Sequence, residues 1–293
     1  MKLTIVDVFA ERAFAGNQLA VVHDAASLSS AQMQAIALET NFSETTFVTR
    51  HNDGEADVRI FTPTSELPFA GHPTLGTAWV LTGGKGAITL NLAAGQVPVS
   101  FNDGSGWLTA PPVVFEEGVT TSSAAELLQL SEADLDPDYP LRYGQVGPRF
   151  LLIGVRTLAA LQRVKINEAR FDEITAGDGG FSVFAFSADS YSGAHSGSGA
   201  HSGSSAHSGY RDSDFAARMF FAVDGIREDP ATGSANAAFA AYLRDLEPRP
   251  RELVVDQGVE INRPSRLYLR IGDELQVGGR VHAVLEGELL QLP

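Results

Sequence analysis

The chain has 293 residues, with 21 Lys+Arg against 36 Asp+Glu, no cysteine and a formal net charge of −15. That excess of acid excludes sequence-independent binding to nucleic acid or to an anionic membrane, which needs clustered cations. The absence of cysteine excludes disulfides, thiolate nucleophiles, iron–sulfur ligation and cysteine-ligated zinc.

A length of 293 residues predicts roughly two domains of ~150 residues each, and 44% hydrophobic with 19% charged residues is a globular composition. The first acid, Asp7, comes too early for the ~7–15 apolar residues of a secretory peptide. No stretch approaches the ~18 apolar residues of a membrane helix, so the expected compartment is the cytoplasm.

In chain order, residues 3–9, 19–23, 45–49, 56–62, 87–92 and 97–101 are short, β-branched or alternating, and read as strands. Ser29 with Gln32 forms a capping box ahead of Met33, Ile36, Ala37 and Thr40, which recur at helical spacing. A second helix is expected from Pro73 to about Leu81, stopped by Gly83-Gly84. Residues 111–143 change character: Pro111-Pro112, Glu116-Glu117-Gly118, a short helix capped by Ser123 with Glu126, then Pro137 and Pro140. The domain boundary is placed here, giving 1–115 and 116–283. Strands follow near 150–154, 181–186, 217–222, 252–255, 267–271 and 282–285, with a main helix over about 233–243.

Residues 190–209 are low-complexity, repeating Ala-His-Ser-Gly at 194, 200 and 206 and holding His195, His201 and His207. A His-rich tract can chelate metal, but a Gly/Ser loop offers no framework to fix ligand geometry. The segment reads as a solvated loop insertion, and no metal site is expected.

The two halves share a pattern. RIFTPTSELPFAGHPTLGTA (59–78) and RMFFAVDGIREDPATGSA (218–235) each begin Arg-x-Phe and end His/Asp-Pro-x-x-Gly-Thr/Ser-Ala. The offset at the closing motif is 229 − 72 = 157 and at the opening 218 − 59 = 159. A duplicated strand–loop–helix unit would place His72 and Asp229 at matched positions, each before a proline opening a buried helix. The small residues from Gly71 to Gly76 and from Ala231 to Ala235 leave backbone N–H groups accessible, and helix N-termini bind anions through such donors. Two termini facing each other across a cleft would hold a small carboxylate. The other reading makes His72 and Asp229 ordinary N-caps, which fits aspartate better than histidine. Glu44 sits where the first helix meets a strand, among Phe42, Phe47 and Val48. Against apolar walls its pKa would rise and suit proton shuttling; composition alone favours an exposed edge-strand glutamate.

DVFAERAFAGNQLAVV, NFSETTFV, the 59–78 segment, Gly147-Pro148-Arg149 and EDPATGSANAAFAAYL occur in an order and spacing that resembles the phenazine-biosynthesis PhzF-like family. The resemblance spans the chain outside 190–209. It implies an α+β, diaminopimelate epimerase-like fold: two pseudo-symmetric domains, each a mostly antiparallel sheet wrapped around a central helix, with the active site between them. It implies that the last strand, about 284–293, returns to the first domain. In the family's namesake enzyme the Glu of the SET motif shuttles a proton on trans-2,3-dihydro-3-hydroxyanthranilate, and the matching residue is Glu44. His72, Asp229 and Ser234 would line the pocket and assist, with Gly71, Gly233 and Asn17 binding substrate; Phe69 and residues 224–227 would shape the pocket. The resemblance implies no cofactor and a homodimer. Relatives on this fold that use two opposed thiols are excluded, because no cysteine is present. The expected function is a cofactor-independent isomerase of a small cyclic or unsaturated carboxylic acid, the alternatives being the namesake reaction itself or a non-catalytic carboxylate binder.

Overall fold

A computed structural model describes residues 1–191, 213–222 and 225–293, so the expected insertion lies outside the described residues from 192 onward. The first half runs β1 (Lys2–Val8), β2 (Asn17–Val22), α1 (Ser30–Thr40), β3 (Glu44–Asn52), β4 (Glu55–Phe61), β5 (Glu66–Leu67), α2 (Gly71–Thr82), β6 (Gly86–Leu92), β7 (Gly95–Asn102) and β8 (Ser105–Thr109). After β9 (Val114–Glu117) and α3 (Thr121–Leu128), the second half runs β10 (Arg142–Gln145), β11 (Arg149–Gly154), α4 (Leu158–Arg163), α5 (Glu168–Asp178), β12 (Ser182–Ser187) and β13 (Phe215–Ala222). It closes with β14 (Ile226–Asp229), α6 (Gly233–Leu246), β15 (Arg251–Gln257), β16 (Ser265–Ile271), β17 (Leu275–Gly279) and β18 (Val281–Glu288).

The strands form one continuous ladder. From one edge it reads β18–β1–β2–β3–β4–β6–β7–β8, and it continues through β8–β17 into β16–β15–β13–β12–β11–β10–β9. The two series repeat each other: β2/β3 and β4/β6 pair parallel in the first, as β11/β12 and β13/β15 do in the second. Each half lends its following strand to the other, β9 to β10 and β18 to β1. Tight turns set the registers. Between β7 and β8, Asp103 and Gly104 both take positive φ (51° and 76°), the two-residue hairpin geometry that Asp-Gly favours.

Each series curls around one helix. α2 is buried from Gly71 to Ala78 and α6 from Gly233 to Leu243, as expected of helices enclosed on all sides by sheet. Close approach is possible because residues are small: a Cβ on Gly76 would lie 2.6 Å from Leu19 and 2.7 Å from Val8. Buried hydroxyls are satisfied locally, Thr77 by Thr46 at 2.8 Å and Thr74 by the Ala70 carbonyl at 2.7 Å.

The capping box forms as read, with the Gln32 amide donating to the Ser29 hydroxyl and the Ser29 amide donating to Oε1 of Gln32. Three expectations are corrected. α2 starts at Gly71, so Pro73 lies inside the first turn, where its missing N–H would have had no partner anyway. Thr120, not Ser123, caps α3 and accepts from the Ser123 amide at 3.2 Å. The 111–143 passage holds β9 and β10, which pair with each other.

The repeat has a physical counterpart. Arg59 of β4 pairs with Glu66 of β5 at 2.6 Å, and Arg218 of β13 pairs with Glu228 of β14 at 2.6 Å. The matching of His72 with Asp229 does not hold. Both helices begin at glycine, Gly71 and Gly233, so His72 matches Ser234, while Asp229 lies on the preceding strand and matches Leu67.

Candidate functional site

The N-termini of α2 and α6 meet where the halves face each other. A Cβ on Gly71 would come within 3.1 Å of the Gly233 Cα and 3.2 Å of the Ser234 nitrogen, tighter than ordinary packing, so glycine lets the two termini approach without displacing backbone. The N-cap positions are Ala70 and Thr232, and neither contributes a side-chain cap. The first-turn donors and the positive ends of both helix dipoles are therefore directed at one place. Beside them opens a cavity of about 450 Å³, lined from both halves.

Three titratable side chains converge there. Glu44 opens β3, just after Asn41 ends α1 in the left-handed conformation (φ 53°). His72 is the second residue of α2, and its Nε2 lies 3.5 Å from Oε2 of Glu44. Both atoms are buried, and among the described residues neither has a hydrogen-bond partner. Asp229 ends β14 and is held from three sides: Asn17 Nδ2 (2.9 Å) and Ser43 Oγ (3.2 Å) donate to Oδ1, and Thr232 Oγ1 (2.5 Å) donates to Oδ2.

Burial sets the charge states. It pushes Glu44 from 4.5 up to about 8, and the negative charge of Asp229 pushes in the same direction. It raises Asp229 from 3.8 to about 6, against the three donated hydrogen bonds that favour the carboxylate. It lowers His72 from 6.5 to about 3, opposed by a hydrogen bond with the Gln18 backbone. Between pH 6 and 8 the site therefore holds a protonated Glu44, an ionised Asp229 and a neutral His72. Such a set can give up, accept and relay a proton without a large change in net charge.

The site residues expected from sequence fall in two layers. Glu44, His72, Asp229, Gly71, Gly233 and Ser234 line the cavity. Asn17 lies behind it, buried, and its amide nitrogen donates to Asp229 and to the Ala231 carbonyl at 2.9 Å each and approaches His72 Nδ1 at 3.4 Å. It bridges the two halves of the site and leaves the lining to Gln18. Phe69 lines the cavity; of the 224–227 stretch, Arg227 does so, and residue 224 lies outside the described residues.

Sequence reading missed the supports of Asp229. Thr232 has a local signal, a hydroxyl three residues after the acid. Gln257 has none: it comes from β15 to donate to the Asp229 carbonyl (2.9 Å) and Thr232 Oγ1 (3.1 Å), and Asn236 in turn donates to Gln257 at 3.1 Å. Because Gln257 donates to the Thr232 hydroxyl, that hydroxyl is left to donate to Asp229. Ser182, which opens β12 as Glu44 opens β3, also lines the cavity. Among the described residues no group of three or more His, Cys, Asp or Glu is placed to hold a metal ion, and no helix is long and apolar enough to cross a membrane.

The chain shares its fold with a hydroxyproline epimerase from Agrobacterium vitis. The two chains superpose with a TM-score of 0.58 over 98% of this chain and 91% of that one, at 11% identity, a likeness of fold alone. The architecture is thus the epimerase-like class. Within it, the chain belongs to the phenazine biosynthesis-like protein family, whose model matches residues 6–287. The trans-2,3-dihydro-3-hydroxyanthranilate isomerase of Pseudomonas aeruginosa is 34% identical over 292 residues, covering 97% of this chain and 94% of that protein. The crystal structure of a PhzF-family phenazine biosynthesis protein from Bacillus anthracis superposes with a TM-score of 0.84 at 24% identity, covering 99% of both chains.

Proposed function

We propose that the chain is an isomerase that needs no cofactor and moves a proton between carbons of a small cyclic or unsaturated carboxylic acid. The observation that carries this is the facing pair of Glu44 Oε2 and His72 Nε2, 3.5 Å apart, buried beside the two helix N-termini and without other partners among the described residues. The substrate carboxylate docks on the backbone donors at Gly71–His72 and Gly233–Ser234, where partial positive charge awaits it. Glu44 as carboxylate takes a C–H proton, and the bonding pair moves into the adjacent unsaturation. The resulting acid returns the proton to a second carbon on the same face, so substrate and product differ only in where one hydrogen and the double bonds lie. His72 and Asp229 steady the charge that builds up in between. Positioned acid–base groups contribute typically ~10²–10⁴-fold, and orientation and preorganised dipoles supply the rest.

The name of the Pseudomonas aeruginosa relative favours one substrate, trans-2,3-dihydro-3-hydroxyanthranilate. The reading takes residues 1–115 and 116–283 as two domains with the cleft between them, the last strand returning to the first. It also takes the protein as a cytoplasmic homodimer with a small-molecule partner and no nucleic-acid or membrane partner. The test is to incubate that compound with the protein and follow its absorbance, comparing wild type with Glu44→Gln. Conversion by wild type and tight binding without conversion by the variant are expected. A variant that keeps the full rate refutes the role of Glu44. Ligand-induced thermal stabilisation with no conversion, and no deuterium uptake from heavy water, would identify a binder instead.

A further inference from the structure

The hairpin β13–β14 turns one face to the cavity. Met219 pairs with Asp229 and Phe221 with Arg227, and all four line the cavity. Strand alternation puts residues 227 and 229 on one face, while Glu228 between them, which also borders the cavity, is paired with the Arg218 guanidinium. Among the described residues two cations line the cavity, Arg227 and Arg263. Arg263 is committed elsewhere, donating to Asp7 Oδ1 at 2.6 Å and to the Ala15 and Gly16 carbonyls. Arg227 has no ion pair or hydrogen bond among the described residues, and the acids beside it are taken, Glu228 by Arg218 and Asp229 by its three donors. In a chain with a net charge of −15, a guanidinium left unpaired at a cavity wall is an unanswered charge.

We propose that Arg227 recognises a second anionic group, so that unsaturated acids with two acidic groups separated by an apolar body bind more tightly than the single-carboxylate compound in the Pseudomonas aeruginosa relative's name. This rests on the reading that the helix N-termini hold the first carboxylate. The two sites lie at opposite ends of the strand face. Asp229 adjoins the helix termini, and Arg227 stands two residues further out, about 7 Å along the strand at ~3.3 Å per residue. The same cavity is lined by the apolar side chains of Phe42, Phe69, Phe150, Met219 and Phe221, which suit a planar ring. An arginine fork at the outer end then takes a carboxylate, or another oxyanion of the same shape, in a bidentate pair. Arg227 is exposed, so its substitution leaves the packing intact.

The test uses simple probes at pH 8: benzoate with one carboxylate, and isophthalate and terephthalate with two. Dissociation constants are measured by calorimetry for wild type, Arg227→Gln and Arg227→Lys. Wild type is expected to bind at least one dicarboxylate tenfold or more tighter than benzoate. Arg227→Gln removes that advantage, leaves benzoate binding unchanged and melts at the wild-type temperature; Arg227→Lys keeps part of the advantage. Benzoate binding with no preference for either dicarboxylate overturns the role of Arg227 and leaves the helix-terminus site standing. An equal loss for benzoate and dicarboxylates in Arg227→Gln overturns it too. If wild type binds none of the three, both the second-anion site and the carboxylate reading beneath it fail.

Discussion

Removing the charge on Glu44 while keeping its shape should make the folded protein more stable in alkali. The carboxyl titrates at about 8 in the folded chain and near 4.5 when exposed, so between those values the native state binds a proton that the unfolded chain has released. Stability therefore falls as pH rises from about 4.5 to about 8 and stays level above that. At about 1.4 kcal/mol per pH unit the span amounts to roughly 5 kcal/mol, a large share of the ~5–15 kcal/mol that holds a typical protein folded. Asp229 acts in the same sense over a lower window, from 3.8 to about 6. His72 acts in the opposite sense: it is kept neutral down to about 3, so its contribution is full above 6.5 and is lost as the pH drops. Both remain when Glu44 is replaced by glutamine, so the difference between variant and wild type isolates Glu44. Urea unfolding is measured for both proteins at pH 5, 7 and 9. Near-equal stability at pH 5 and a variant several kcal/mol more stable at pH 9 are expected. A difference that does not change with pH, or a less stable variant at pH 9, refutes the claim that Glu44 is buried with its proton.

Three further outcomes follow from the same geometry. If turnover begins with Glu44 as base, kcat/KM on trans-2,3-dihydro-3-hydroxyanthranilate rises about tenfold per pH unit below about 8 and levels off above it; a plateau reaching down to pH 6 would exclude Glu44 as the starting base. Thr232→Val removes the 2.5 Å donor to Asp229, a charge-assisted bond worth ~1.5–3 kcal/mol, and moves the Asp229 titration one to two pH units above about 6; carboxyl NMR titration reads the shift, and an unchanged Asp229 refutes the arrangement. Arg263→Met strands the Asp7 carboxylate, 2% exposed, without its guanidinium and costs about 3–5 kcal/mol in urea unfolding. Adding Asp7→Asn recovers most of that loss, and a double variant no better than the single would show that the pair is not the cause.

How far the sequence revealed the site depended on whether the signal was local. Gly71, His72, Asp229, Gly233 and Ser234 lie in two short motifs whose small residues and prolines announce a helix start, and all five line the cavity. Glu44 is marked only by its apolar neighbours, and composition favoured an exposed edge; in the fold its Oε2 is buried and faces His72 of α2. Pairing His72 with Asp229 was reasonable on the motifs, at an offset of 157, but the helices start at an offset of 162, and helix geometry decides which side chains correspond. Gln257 could not be found from sequence, because it reaches Asp229 from a strand that begins more than 20 residues later. The strands β9 and β10 are four residues each, so neither carries a periodicity long enough to read.

The corrected matching explains how a near-symmetric frame produces a one-sided site. At each pair of equivalent positions one half carries an ionisable group and the other does not: Glu44 against Ser182, His72 against Ser234, Asp229 against Leu67. The backbone features are kept by both halves, since both helices open with glycine and lack a capping side chain. Anion binding needs only oriented N–H groups and is indifferent to which half supplies them. Proton transfer needs groups of unequal acidity, and equal acids at mirrored positions would titrate as a coupled pair. Here Asp229 has three donors, and Glu44 has a buried oxygen with none, so the same burial leaves one at about 6 and the other at about 8. The difference in acidity thus follows from hydrogen bonds that both halves direct at Asp229 and that Glu44 Oε2 lacks, and a proton placed in this cleft resides on Glu44.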